Sequence, residues 1–268
     1  MKKAIIIAIL GILSAAGCCF AELEAPRAFG RDLGVEMGFE TSHITYKEPG
    51  LMEEKGFMYG VTGALAYRNC GRMLSIEARV SIGQVDYTSA SSGTLDNIDD
   101  SIWEIRGLAG YDIETTEASA VTPYIGLGYR HLDDNMGGKI TTTGAHGYDR
   151  EISYTYLPIG ADVTVAFENG WNMKLRLEYD KFLDGNVESH LGSVPGYYDI
   201  GNDQDEGYGV RGSIMFKKVG ETIDFIVEPF FRYWKIEDSN YTSDPVGRIW
   251  LEPKNSSKEF GINFSAEY

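Results

Sequence analysis

From residue 33 to the end of the chain, apolar side chains recur at every second position, and this alternation restricts the polypeptide to extended strands with one apolar face. Leu33, Val35, Met37 and Phe39 form the first stripe. Tyr59, Val61, Leu65 and Tyr67 form the second, and Leu74, Ile76, Ala78, Val80 and Ile82 the third. Further stripes run through Trp103 to Ile113, Ile125 to Tyr129, Met173 to Tyr179, Tyr208 to Phe216, Ile223 to Tyr233 and Phe260 to Tyr268. One segment is irregular: Ile152, Tyr154 and Tyr156 share one parity, while Leu157, Ile159, Ala161, Val163, Val165 and Phe167 share the other. A bulge near residues 156–158 is expected to reconcile them. The reading predicts about ten strands, with eight and twelve as alternatives.

The amino terminus is of another kind. Lys2 and Lys3 precede an apolar run of about a dozen residues and then small residues, the order of a secretory signal peptide, so a leader over residues 1–21 and a mature domain over 22–268 are expected. That run is shorter than the roughly 20 residues a membrane-spanning helix needs. Removing the leader takes Lys2 and Lys3 and leaves 22 basic against 40 acidic residues, a formal charge of −18. Nucleic acid is an unsuitable partner for such a chain, because binding it requires cations that displace counterions. Cys70 is the sole cysteine left after processing, so no internal disulfide can hold the fold.

Connections alternate in length. Residues 69–72, 114–120, 168–171 and 217–221 are short, whereas 46–56, 88–100, 132–150, 184–206 and 237–257 are longer and rich in Gly, Ser, Asn and Asp. Short turns on one rim and long loops on the other are the asymmetry of barrels whose turns face the periplasm. Tyr67, Tyr111, Phe167 and Trp171 fall near the short turns. Tyr46, Phe57, Trp103, Tyr129, Tyr154, Tyr179, Tyr208 and Tyr233 fall near the long ones, as two interfacial girdles would. Hydrocarbon offers backbone amides no partners, so the sheet must close on itself. The fold class expected is all-β: a closed, antiparallel, up-and-down transmembrane barrel in the bacterial outer membrane.

The last segment, Lys258 to Tyr268, alternates Phe260, Ile262 and Phe264 and ends on an aromatic residue. It resembles the terminal strand of bacterial outer-membrane β-barrel proteins, in the manner of small OmpA/OmpX-like or porin-like barrels. That resemblance implies that Phe260, Ile262, Phe264 and Tyr268 act as a signal to the barrel assembly machinery. It also implies outer-membrane lipid and lipopolysaccharide as surroundings. A strand count near ten is shared with the omptins, outer-membrane proteases with acidic pairs and an aspartate-histidine dyad at the outer rim. Asp96, Asp99 and Asp100 resemble the acidic pair, but the fourth long loop holds Asp199, Asp203 and Asp205 with His190 as its one histidine, not alternating with them.

The faces opposite the stripes carry both signs of charge. Glu77, Arg79, Glu104, Arg106, Arg130, Lys174, Arg176, Glu178, Glu228 and Arg232 are expected to form a paired network in the lumen, since unpaired charges in a narrow interior are costly. Catalytic, cofactor and metal sites are not expected: His43, His131, His146 and His190 read as solvated residues near a rim, and the acidic runs as solvated carboxylates. About ten strands enclose a lumen that side chains can largely fill. Three classes of function follow: a structural or surface-interaction barrel with long acidic extracellular loops and an unknown extracellular ligand, then a small porin for solutes or cations, then an omptin-like enzyme.

Overall fold

The computed structural model describes residues 32–268; the expected leader, 1–21, lies outside them. Strands β1 (Leu33–Glu48), β2 (Met52–Asn69), β3 (Arg72–Ser89) and β4 (Gly93–Tyr111) follow one another as antiparallel hairpins. A short β5 (Ile113–Thr116) continues β4 past Asp112 along the same neighbour, β6 (Ser119–Asn135). Next come β7 (Asp149–Ala166) and β8 (Trp171–Ser189). The upper end of β8 pairs with β9 (Ile200–Gln204) and the remainder with β10 (Gly207–Lys218). After β11 (Asp224–Ile236), a loop carries the two-residue strands β12 (Thr242–Ser243) and β13 (Ile249–Trp250), and β14 (Asn255–Glu267) ends the sheet.

The sheet is closed. β14 pairs with β11 on one side and with β1 on the other, where Phe39 faces Phe264 and Met37 faces Ala266. Counting β4 with β5 and β9 with β10, ten strand positions surround the cylinder among the described residues.

The apolar stripes face outward along the lower part of the barrel, the end with the short turns. Met37, Ile76, Val80, Ile105, Leu177 and Phe225 are all exposed. On β3 this outward band runs from Leu74 to Ile82, nine residues, and a tilted strand needs about 9 to 11 to cross a bilayer.

The strands do not stop where the lipid does. Most have 16 to 19 residues. At about 3.3 Å per residue and a tilt near 40° they rise well beyond the apolar band of about 25 Å. Residues 46–56 and 88–100, expected as long loops, are therefore mostly strand, closed by tight turns at 49–51 and 90–92. Their polar residues misled because they occupy alternate positions. Lys47, Lys55, Asp86 and Asp99 point outward, while Ile44, Tyr46, Met58, Val85 and Ile98 point in and are buried. The long loops that remain are 136–148, 190–199 and 237–254, all on one rim.

The same inversion corrects two other expectations. Tyr46 and Tyr154 belong to no girdle, being 5 % and 2 % exposed inside the barrel. No bulge in β7 reconciles its two parities: Ile152, Tyr154 and Tyr156 face inward in the upper part, and Ile159 and Val163 face outward lower down. The register break lies across from Tyr156, in β8, where Thr155 pairs with Asp184 and Tyr156 with Phe182, leaving Leu183 as the extra residue.

Candidate functional site: the filled lumen

The interior is layered. Nearest the short turns lies a pocket of about 100 Å³, lined by groups that include Arg68, Lys217 and Glu267, and next to it one of about 130 Å³ that reaches up among Glu40, Arg79, Glu104 and Arg211. Lys217 Nζ donates to Glu267 at 3.1 Å.

Above them, guanidinium groups and carboxylates cross the lumen. Arg79, on β3, donates through Nη1 to Glu40 and Glu259, both at 3.0 Å, and through Nε to Glu104 at 2.9 Å. Arg232 donates to Glu259 at 3.1 Å and Glu40 at 3.0 Å, completing a square of two arginines and two glutamates. Arg106, on β4, donates to Glu77 at 2.8 Å and, across the lumen, to Glu178 at 2.6 Å. Arg176 donates to Asp162 at 2.8 Å and Glu77 at 3.0 Å. Arg211 joins the halves, donating to Asp180 at 2.6 Å and to both oxygens of Glu104. Planar guanidinium forks suit this role, because each can hold two or three carboxylates at once.

The residues expected in the lumen all point inward, but they are not equally joined. Glu77, Arg79, Glu104, Arg106, Arg176, Glu178 and Arg232 share the ion pairs above. Lys174 stands 3.9 Å from Asp162. Arg130 lies over the Tyr154 ring at 5.6 Å, and its Nε has no hydrogen-bond partner among the described residues. Glu228 lines the 130 Å³ pocket beside the network. Glu40, Asp162, Asp180, Arg211 and Glu259 join the network although they stand outside the expected set. Each lies on the face opposite an apolar stripe, so strict use of parity reaches them.

Aromatic rings roof the charges. Tyr156 donates its hydroxyl proton to Glu104 at 2.5 Å and accepts from Arg211 at 2.9 Å, tying roof to network. Its ring meets Trp234 at 5.0 Å, and Tyr154 meets Trp234 at 5.6 Å and Phe182 at 5.4 Å. Gly128 makes room for Tyr156: a Cβ there would lie 2.2 Å from the ring. Ile98, Ile102, Leu132, Ile152, Val187 and Ile236 pack around these rings. A gap of about 10 Å³, room for one water at most, lies further out beside Arg150, between Ile44, Tyr46, Leu132 and Ile152.

At the outer end Arg150 is enclosed by carboxylates. It donates to Glu48 at 2.8 Å and Asp134 at 2.9 Å, and Glu252, from the β13–β14 loop, stands 3.8 Å away. Burial lifts the Glu252 carboxyl to about 7 against the pull of Arg150, with Glu48 and Asp134 pushing the same way.

The expected acidic pair and the histidines do not form one site. Asp99 accepts from Gln84 at 2.9 Å on the outer wall, whereas Asp100 points inward and is buried. His131 pairs with Asp133 at 2.9 Å and His190 with Glu151 at 3.0 Å. His43 packs edge-on against Phe57, and His146 lies in the 136–148 loop.

A closed cylinder with lipid-facing stripes below and a charged, filled lumen defines an integral outer-membrane barrel. The pattern of the outer membrane protein beta-barrel domain matches residues 10–194, and the chain belongs to that family of the bacterial outer membrane. Among solved structures, the outer membrane protease OmpT of Escherichia coli is similar with a TM-score of 0.65 at 7 % identity, covering 88 % of this chain and 96 % of that one. The translocator domain of the autotransporter NalP of Neisseria meningitidis gives 0.43 at 12 % identity, with 88 % of each chain covered. At 7 % identity the likeness to OmpT is one of fold. No curated protein matches the sequence.

Proposed function

We propose that the protein is a structural or surface-interaction barrel that does not conduct, presenting its long loops and the acidic outer ends of its strands outside the cell. The observation that carries this reading is the double obstruction of the lumen. Arg79, bridged to Glu40, Glu104 and Glu259, spans the middle, and the Tyr156–Trp234 roof closes the space above it. A hydrated ion would have to break buried ion pairs and then cross a dry aromatic layer, each costing several kcal/mol. The solute-pore reading requires an open path that this packing does not offer. The protease reading requires a histidine and a carboxylate facing a shared cleft, whereas His131 and His190 pair with carboxylates on the outer wall.

Under the same proposal, residues 1–21 direct export and are removed. The outward row Phe260, Phe264 and Tyr268, with Ile262, is read by the assembly machinery, and lipopolysaccharide surrounds the aromatic belt. Planar-bilayer recording on refolded protein tests the central point. No stable unitary conductance is expected, and steady openings at neutral pH would overturn the reading.

A further inference from the structure

Outside the lumen, just above the lipid-facing band, five potential metal ligands stand in one row on the outer wall. Asp133 of β6, Glu151 of β7 and Glu188 of β8 are direct cross-strand partners. His131 lies two residues before Asp133, and His190 two residues after Glu188, each on the outward side. Ligand atoms of His131, Asp133 and Glu151 all lie within 4.8 Å of one another, and so do those of Glu151, Glu188 and His190. Glu151 belongs to both groups.

We propose that this row binds a zinc-type divalent cation, with Glu151 as the common ligand and His131, Asp133 and Glu151 as the tighter centre.

Three observations carry it. Neighbouring positions across a sheet place like charges about 5 Å apart, which is unfavourable without a counterion, and here three carboxylates stand abreast. Two histidines flank them, and their Nε2 atoms already reach carboxylate oxygens at 2.9 and 3.0 Å. A tetrahedral zinc centre with bonds near 2.0 to 2.2 Å needs ligand atoms about 3.3 to 3.5 Å apart, so small side-chain rotations suffice. The remaining nitrogen of His131, Nδ1, is buried and has no hydrogen-bond partner among the described residues. The ring is nevertheless held, tilted against Trp103 with centroids 5.6 Å apart. Fixed orientation lowers the cost of binding. Mixed imidazole and carboxylate donors favour zinc, cobalt, nickel or copper over magnesium, which prefers all-oxygen octahedra.

The second trio is looser. The His190 side chain is 38 % exposed, against 17 % for His131. Its loss therefore matters less than loss of His131.

Cobalt(II) titration of the refolded full-length protein in detergent, in buffer without phosphate, tests the site. Visible ligand-field bands should grow to saturation and be displaced by zinc, with quenching of Trp103 fluorescence as a second readout that Trp103→Phe removes. Glu151→Gln and His131→Gln should each weaken cobalt binding at least tenfold, and His190→Gln by less. All three side chains are on the wall surface, and heat-modifiable migration in gels checks that each variant is folded. Saturating bands of unchanged affinity in folded Glu151→Gln or His131→Gln would overturn the proposal, as would the lack of bands in the parent protein.

Discussion

The lower and upper halves of the same strands obey opposite rules. On β3, Leu74, Ile76, Val80 and Ile82 face outward while Ser75, Glu77, Arg79 and Ser81 face in; beyond Gly83 it is Gln84 and Asp86 that face outward and Val85 that is buried. β4 does the same, with Ile105 outside and Arg106 and Glu104 inside, then Asp99 outside and Ile102 and Ile98 inside. The backbone is continuous through the change, so it is the solvent that switches. Lipid below accepts apolar side chains and leaves the charges to pair with one another, whereas water above solvates the charges and drives the aliphatic groups together. The row where parity inverts marks the outer boundary of the membrane, and Trp103, Tyr129, Tyr179, Tyr208 and Tyr233 lie along it.

The largest expected effect comes from breaking the lower interior. Arg79→Met removes one cation from contact with Glu40, Glu104 and Glu259 and leaves carboxylates buried without it. Loss of one partner from a buried pair costs about 3 to 5 kcal/mol. Urea unfolding of the refolded protein should shift by that amount. A change under about 1 kcal/mol would mean that water in the lower pockets solvates the network, and the contrast between a charged layer and a dry one would weaken.

Next comes a charge scan along the outer wall of β3. Ile76→Lys places an ammonium in the lipid band, at a cost of about 2 to 4 kcal/mol near the midplane. Thr88→Lys, on the same strand and the same face but above the inversion, meets water and should cost less than about 0.5 kcal/mol. Equal penalties at the two positions would move the membrane boundary.

Much of this was legible in the residues and some was not. The period of two, the outward stripes and the closing of Phe260 to Tyr268 onto the first strand follow from sequence, because side-chain parity in a strand is fixed by geometry. Polar residues 46–56 and 88–100 read as loops because a rule suited to lipid was applied where the wall faces water. Lys55 and Asp86 end the lipid stripe without ending the strand. Tyr154 reads as a girdle residue for the same reason, its parity being that of the upper core. The partners of Arg79 were legible only in part: parity shows that Glu259 points inward, but Glu40, Glu104 and Glu259 come from three different strands, and their convergence depends on tilt and register. The outer-wall histidine row needed the register of β6, β7 and β8.

The upper half also carries a pH dependence that the lower half does not share in the same way. Glu252 closes the outer end over Arg150, and its carboxyl is raised to about 7 by burial, with Glu48 and Asp134 adding to the shift. A carboxyl whose folded pKa lies above its unfolded value of about 4.3 stabilises fully below that lower value and loses the contribution as pH rises through 7. The loss is about 3 to 4 kcal/mol. Unfolding measured between pH 4 and 8 should show this decline in the parent and a flatter profile in Glu252→Gln. A parent profile that rises over the same range would show that Arg150 holds Glu252 ionised.

The smallest effect is the most direct measure of what each half is packed against. Ile102 and Ile105 lie three residues apart on β4, the first fully buried in the upper core and the second 47 % exposed on the lipid face. Removing one methylene from a close-packed interior costs about 1 kcal/mol, because the lost contacts are not refilled. Lipid chains are fluid and close over such a gap, so Ile105→Val should cost no more than a few tenths of a kcal/mol while Ile102→Val costs about 1. Paired unfolding curves in the same detergent resolve that difference. Equal costs would mean that the upper interior is as yielding as the lipid, and the obstruction assigned to Tyr156 and Trp234 would lose its rigid support.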